Sequence, residues 1–204
     1  MPRPAPPLFV AESTGLDFLN SITSSRNPPL DRICDGEGLL AWLELAHLVP
    51  LEVLREMREK TMPGELDRVA AQARDLREWF RAFVHAHKGR TLKAAAVEEL
   101  TPLNGLLERD EAYEVVTSKA GGGDALQLEI KRRWKSPEAL LLPIGEALAR
   151  LVAEENFADV KACEGPVCTK LFVDRTRGKN RRWCSMDVCG NRAKQTAHRR
   201  RAKK

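Results

Sequence analysis

Aromatic residues are scarce: one Tyr, four Trp and six Phe among 204 residues. A core must therefore be built mainly from Leu, Ala and Val. No apolar run approaches the roughly 20 residues that cross a bilayer, so no membrane association is expected. The opening stretch "MPRPAPPLFVAESTG" has four prolines and no apolar h-region, so it does not read as a secretory signal, and a cytoplasmic location is expected. Chemistry is thinly represented too. No Ser/His/Asp arrangement stands out, and "AGGGD" is followed by no helix that would make it a phosphate cradle. His85 and His87 lie two apart on a predicted helix and so point to different sides. No enzymatic activity is expected.

Charge is present, and it is unevenly placed. From Lys161 onward the chain carries 14 Lys and Arg against three acids, a net of +11. Residues 1–160 carry 20 against 26, a net of −6. An acidic front and a basic end suggest two modules with different partners, the basic one suited to a polyanion.

Periodicity divides the chain further. Residues 1–12 read as a flexible lead. Short helices are predicted over "STGLDFLNSI", "GEGLLAWLELAHL" and "LEVLREMREKT", and a long one over "GELDRVAAQARDLREWFRAFVHAH", with Pro63 at its first turn and Gly89 at its end. Another helix is expected near residues 92–107. The period then changes: "AYEVVTS" and "ALQLEIKRRW" read as two strands around a glycine turn, a hairpin near 112–133, the second half-buried by the alternation of its apolar residues. Pro143 predicts a kink or a break near Leu141 in the helix that follows. The expected fold is mainly α with a small β-hairpin (α+β), spanning 13–156, followed by a small module over 157–204.

That module holds four of the five cysteines, Cys163, Cys168, Cys184 and Cys189, in the pattern C-x4-C-x15-C-x4-C. Two thiolate pairs around a hairpin-length spacer suit one structural, tetrahedral Zn2+. Chance clustering or an iron–sulfur centre is the competing reading; the x4 gaps disfavour a redox centre. The spacer reads as strand (171–173), turn, strand (181–183), and the whole as a treble-clef-like four-cysteine zinc finger. With little core of its own, it is expected to draw much of its stability from the metal.

The residues of this module resemble the CGNR zinc finger family. The resemblance rests on Cys189-Gly190-Asn191-Arg192, the preceding Arg181-Arg182-Trp183-Cys184-Ser185-Met186, the upstream Phe172-Val173-Asp174-Arg175 and the following Ala193-Lys194. Leu16-Asp17-Phe18-Leu19-Asn20 and Trp42-Leu43 resemble the helical ABATE domain that commonly precedes such fingers, although "FLNSI" stands where that family often has an Asn-Thr pair. The resemblance implies a stress-response transcription regulator that binds DNA.

The basic residues carry that expectation. The candidate nucleic-acid contacts are Arg181, Arg182, Arg192, Lys194, Gln195, His198, Arg199, Arg200 and Arg201. Gln195 and Arg199 are the candidates for base edges. The competing readings are charge compensation of the zinc site by Arg181, Arg182 and Arg192, with Asp174 partnering Arg182 or Arg192, and a solvated basic tail. DNA is favoured over RNA, with an acidic protein as a further alternative partner. One finger offers little surface, so a homodimer or a second contact element is expected. In the helical domain, Asp17, Asn20, Arg77 and Asn104, with Trp42 as a wall, form either a paired internal network or a pocket for a small-molecule effector.

Overall fold

The computed structural model describes residues 9–23, 29–118 and 125–201, and only the backbone of Ala197, Arg200 and Arg201. Residues 1–8 of the expected lead, the glycine turn of the hairpin and the terminal lysines lie outside the described residues. The chain is mainly helical with small antiparallel strand pairs. In order it forms α1 (Thr14–Leu19), β1 (Ile22–Thr23), β2 (Leu30–Asp31), α2 (Gly36–Leu45), α3 (Leu51–Lys60), α4 (Glu65–His87), α5 (Thr101–Leu107), β3 (Ala112–Ser118), β4 (Leu126–Arg132), α6 (Leu142–Glu154), β5 (Val160–Ala162), β6 (Leu171–Val173) and α7 (Asn191–Arg201). Among the described residues each strand pairs only with its neighbour in sequence.

The short α1 is the hub. Gly15 through Leu19 are all buried, and the helix touches α4, α6 and β6. Its approach to α6 depends on Gly15, where a Cβ would lie 2.7 Å from the Ala147 carbonyl oxygen. The long α4 buries Val69, Ala70, Ala73, Phe80, Phe83 and Val84 at three- and four-residue spacing, the stripe of a helix lying on a core. Its first residue is Glu65, with Gly64 as the cap at φ +83°; Pro63 therefore stands before the helix and not inside its first turn. Pro143 acts as expected. The chain runs as a tight 3-10 turn over Pro137–Leu141, and α6 begins at Leu142, where a proline in the first turn costs no backbone hydrogen bond.

Three further expectations need correction. The 92–107 segment is a 3-10 turn (Ala94–Leu100) followed by the short α5, not one helix. The β3–β4 hairpin is not half-buried: Val116, Leu126, Leu128 and Ile130 are exposed. Nor is the lead flexible up to residue 12. Asp17 accepts from the backbone N–H groups of Val10 and Ala11, and the Ala11 carbonyl accepts from Val173.

The cysteine module shares the core of the helical domain. Leu171, Phe172 and Val173 are buried in one continuous cluster with Leu16, Phe18 and Phe80. Phe157, at the expected boundary, is buried and meets the Phe83 ring edge-on at 6.0 Å.

Candidate metal centre and basic helix

The strand expected at 181–183 does not form. Instead β6 pairs with β5, which precedes the first cysteine, in the register Val160↔Val173, Lys161↔Phe172, Ala162↔Leu171. This hairpin carries Cys163 and Cys168 in its own loop. Cys184 arrives on the extended segment that follows, and Cys189 sits in a wide single turn, Met186–Gly190, that leads into α7. Ser185 caps that turn by accepting from the Val188 N–H.

The four sulfurs lie within 4.8 Å of one another. Cys184 Sγ is 3.7 Å from both Cys168 Sγ and Cys189 Sγ. Tetrahedral Zn–S bonds of about 2.3 Å imply sulfur–sulfur edges of about 3.8 Å, so the arrangement fits a closed four-thiolate shell. The Cys184 N–H donates to Cys163 Sγ at 3.3 Å. Gly165 leaves the room required: a Cβ there would stand 3.4 Å from Cys189 Sγ and 3.0 Å from the Cys168 Cβ. Gly190 likewise lets Met186 and Trp183 close over the turn.

The crowding has an electrostatic consequence. A hydrogen bond from Cys184 holds the Cys168 thiol down to about 5. The same hydrogen bond, together with burial and neighbouring thiolates, pushes Cys184 well up, and burial pushes Cys189 up to about 11. The thiols resist ionising together, and a divalent cation is what relieves that repulsion. Cys163, Cys168, Cys184 and Cys189 thus form a centre able to bind one structural Zn2+.

The cations around the centre divide into two sets. Arg181 is an internal rivet. It donates to the carbonyl oxygens of Cys184 (2.7 Å), Val10 (2.9 Å) and Trp183 (3.1 Å), pairs with Glu12 and lies 4.4 Å from the Phe172 ring. These contacts engage its guanidinium within the fold, on carbonyls and Glu12, where a nucleic-acid contact was expected. Arg182 pairs with Glu164 and stacks over Trp183. Lys179 pairs with Asp159, and Arg175 with Glu155. Asp174 is fully buried and accepts from Lys161 Nζ (2.7 Å), the Thr176 N–H and hydroxyl, and the Arg181 N–H. Burial pushes its carboxyl up, but these donors outweigh burial and hold it well below the usual carboxylate range. Its partners are Lys161, Thr176 and a backbone amide; neither Arg182 nor Arg192 contacts it.

On α7 the situation is the reverse. Arg192, Lys194, Gln195, His198 and Arg199 are all exposed, and Ala193 is half-buried. Among the described residues none of these cations has an acidic partner. The side chains of Arg200 and Arg201 lie outside the described residues, as does that of Ala197, expected to help Ala193 seat the helix.

The five residues of the expected effector pocket do not meet around a cavity. Asn20 clasps the finger: its side chain donates to the Leu171 carbonyl (2.8 Å) and accepts from the Leu171 N–H (2.9 Å). Arg77, in the apolar stripe of α4, donates to Asp31 (2.6 and 2.8 Å), Ser21 (2.8 Å) and Glu78 (2.9 Å). Asp17 holds the lead, Trp42 packs edge-on against Phe18 at 5.4 Å, and Asn104 is exposed on α5. Among the described residues no buried side-chain polar atom lacks a partner. Two surface hollows beside α6 are lined by other residues. Asp17, Asn20 and Arg77 are each hydrogen-bonded within the fold, the paired-network alternative of the two, while Asn104 stands apart.

These features define a protein class: a helical domain that carries, on a shared core, a four-cysteine zinc finger ending in a basic helix. Comparison with known families agrees. Residues 160–202 match the CGNR zinc finger. Residues 12–155 match the ABATE family, described as "Putative stress-induced transcription regulator", and the chain belongs to that family. No curated protein matches the chain. Among the described residues no helix is long and apolar enough to cross a membrane.

Proposed function

We propose that this chain is a non-enzymatic, zinc-dependent DNA-binding transcription regulator acting in the cytoplasm in response to stress, with α7 as its nucleic-acid contact. One observation carries the reading. Lys161, Arg175, Lys179, Arg181 and Arg182 are spent on acids or carbonyls, whereas Arg192, Lys194 and Arg199, like Arg177 in the loop after β6, are exposed and have no acidic partner among the described residues. Unpaired cations on a rigid helix suit phosphate oxygens, because no internal ion pair has to be broken first. The metal would supply the geometry: bound through Cys189, it would hold the turn Met186–Gly190 and so fix where α7 leaves the body. Arg182, once released from Glu164, and Arg200 and Arg201, which add positive charge to the end of the chain, are further candidate contacts, and Gln195 and Arg199, four residues apart in α7, are the candidates for base edges.

The test is a salt titration of the zinc-loaded full-length chain on duplex DNA, single-stranded RNA and heparin. Each phosphate neutralised on duplex DNA adds about −0.9 to the slope of log K against log salt. Replacing Arg192, Lys194 and Arg199 together with alanine should flatten that slope by about 2.7. Equal affinity for heparin, or a slope near zero, would replace this reading with an acidic protein partner. Tighter binding to RNA would replace the DNA assignment alone.

A further inference from the structure

We infer that the exposed apolar face of the β3–β4 hairpin is the surface through which two copies of this chain associate. The register pairs Glu114 with Ile130, Val116 with Leu128, and Ser118 with Leu126, which puts these six side chains on one face. Val116, Leu126, Leu128 and Ile130 are 63%, 73%, 63% and 72% exposed. A lone two-stranded hairpin gains little from leaving its apolar face in water. This one is nonetheless held out rigidly at its base, where Arg132 bridges Asp110 (2.6 Å) and Glu146 on α6 (3.1 Å) and Arg133 lies 4.7 Å over the Tyr113 ring.

Area and charge both favour a second copy as the occupant. Four aliphatic side chains exposed to this degree present roughly 400 Å² of apolar surface, a size at which monomer patches are commonly functional. Two such faces in contact would bury roughly 800 Å² of apolar area; at about 60% apolar, the whole interface comes to roughly 1,300 Å², within the range of specific interfaces. The face is also compatible with itself. A two-fold axis lying across the strands at the Val116–Leu128 pair brings Glu114 of one copy toward Ser118 of the other, so no like charges meet. The four aliphatic side chains at the centre carry no charge that self-pairing would have to desolvate.

The experiment is the mass of the zinc-loaded full-length chain by light scattering and sedimentation at about 100 µM, a concentration that reveals even a weak dimer. The wild type is expected to be a dimer. Leu128→Glu, at a solvent-exposed position, should weaken it by roughly 30-fold or more, as loss of a central contact does. Its circular dichroism and zinc content should be unchanged. Gln127→Glu, on the opposite face, should leave the dimer intact. A monomeric wild type overturns the inference, as does a dimer that survives Leu128→Glu. Equal sensitivity to both substitutions overturns it in favour of edge-to-edge strand pairing. None of these readouts involves nucleic acid, so the inference stands or falls apart from the proposed function.

Discussion

Replacing Asn20 with alanine should destabilise the finger and the helical domain together. The Asn20 amide makes both hydrogen bonds to Leu171, at 2.8 and 2.9 Å, and both residues are buried. Alanine would leave one backbone N–H and one carbonyl without partners in a dry place. At about 1–3 kcal/mol for each unsatisfied group, the expected cost is about 2–6 kcal/mol. That is a large fraction of the roughly 5–15 kcal/mol by which domains are stable. The assay is urea unfolding of the zinc-loaded chain, read by tryptophan fluorescence and by zinc release to a chelating dye. Trp183 reports on the finger, while Trp42, Trp79 and Trp134 report on the domain. Because the two share one core, both signals should move to lower urea together with an unchanged slope. A loss below about 1 kcal/mol would refute the clasp. A finger that releases zinc at its original urea concentration while the domain shifts would refute the shared core.

Cys184→Ser should abolish stoichiometric zinc, measured by elemental analysis, and lower the unfolding temperature; one zinc retained per chain would show that the four-sulfur shell is not the site. Asp17 is the group whose titration should be visible in stability. Burial, opposed by the Val10 and Ala11 amides, raises its carboxyl from 3.8 to about 6. The folded state therefore favours the protonated form: the stabilisation is fully present below about pH 4 and is lost as pH rises through about 6. Asp17→Asn keeps an oxygen for the two amides and removes the charge. Its advantage over the wild type in unfolding temperature should be largest at neutral pH and shrink toward pH 4, and a pH-independent difference would refute this account.

How legible each feature was depended on the range of the interactions behind it. The zinc ligands were readable because two short cysteine spacings are local patterns, and bringing the four sulfurs together needs only a hairpin and a turn between them. The break at Leu141 was readable because proline acts within one turn. The hairpin was readable from its period of two, but its burial was not: alternation shows that one face is apolar, and only the packing of the other elements shows whether anything covers it. Arg181 and Arg182 are adjacent in sequence and look alike, yet one is a rivet and the other a surface ion pair.

The sequence by itself determined the metal's ligand set, the mainly helical class, the proline and glycine stops and the basic character of the last helix. Each follows from residue chemistry at short separation. The tertiary structure alone decided what the polar residues of the helical domain do. Asn20 finds its partner 151 positions away and Arg77 its carboxylate 46 positions away. Nothing local marks such pairs, because burial, which only the finished packing sets, is what obliges those polar groups to find one another.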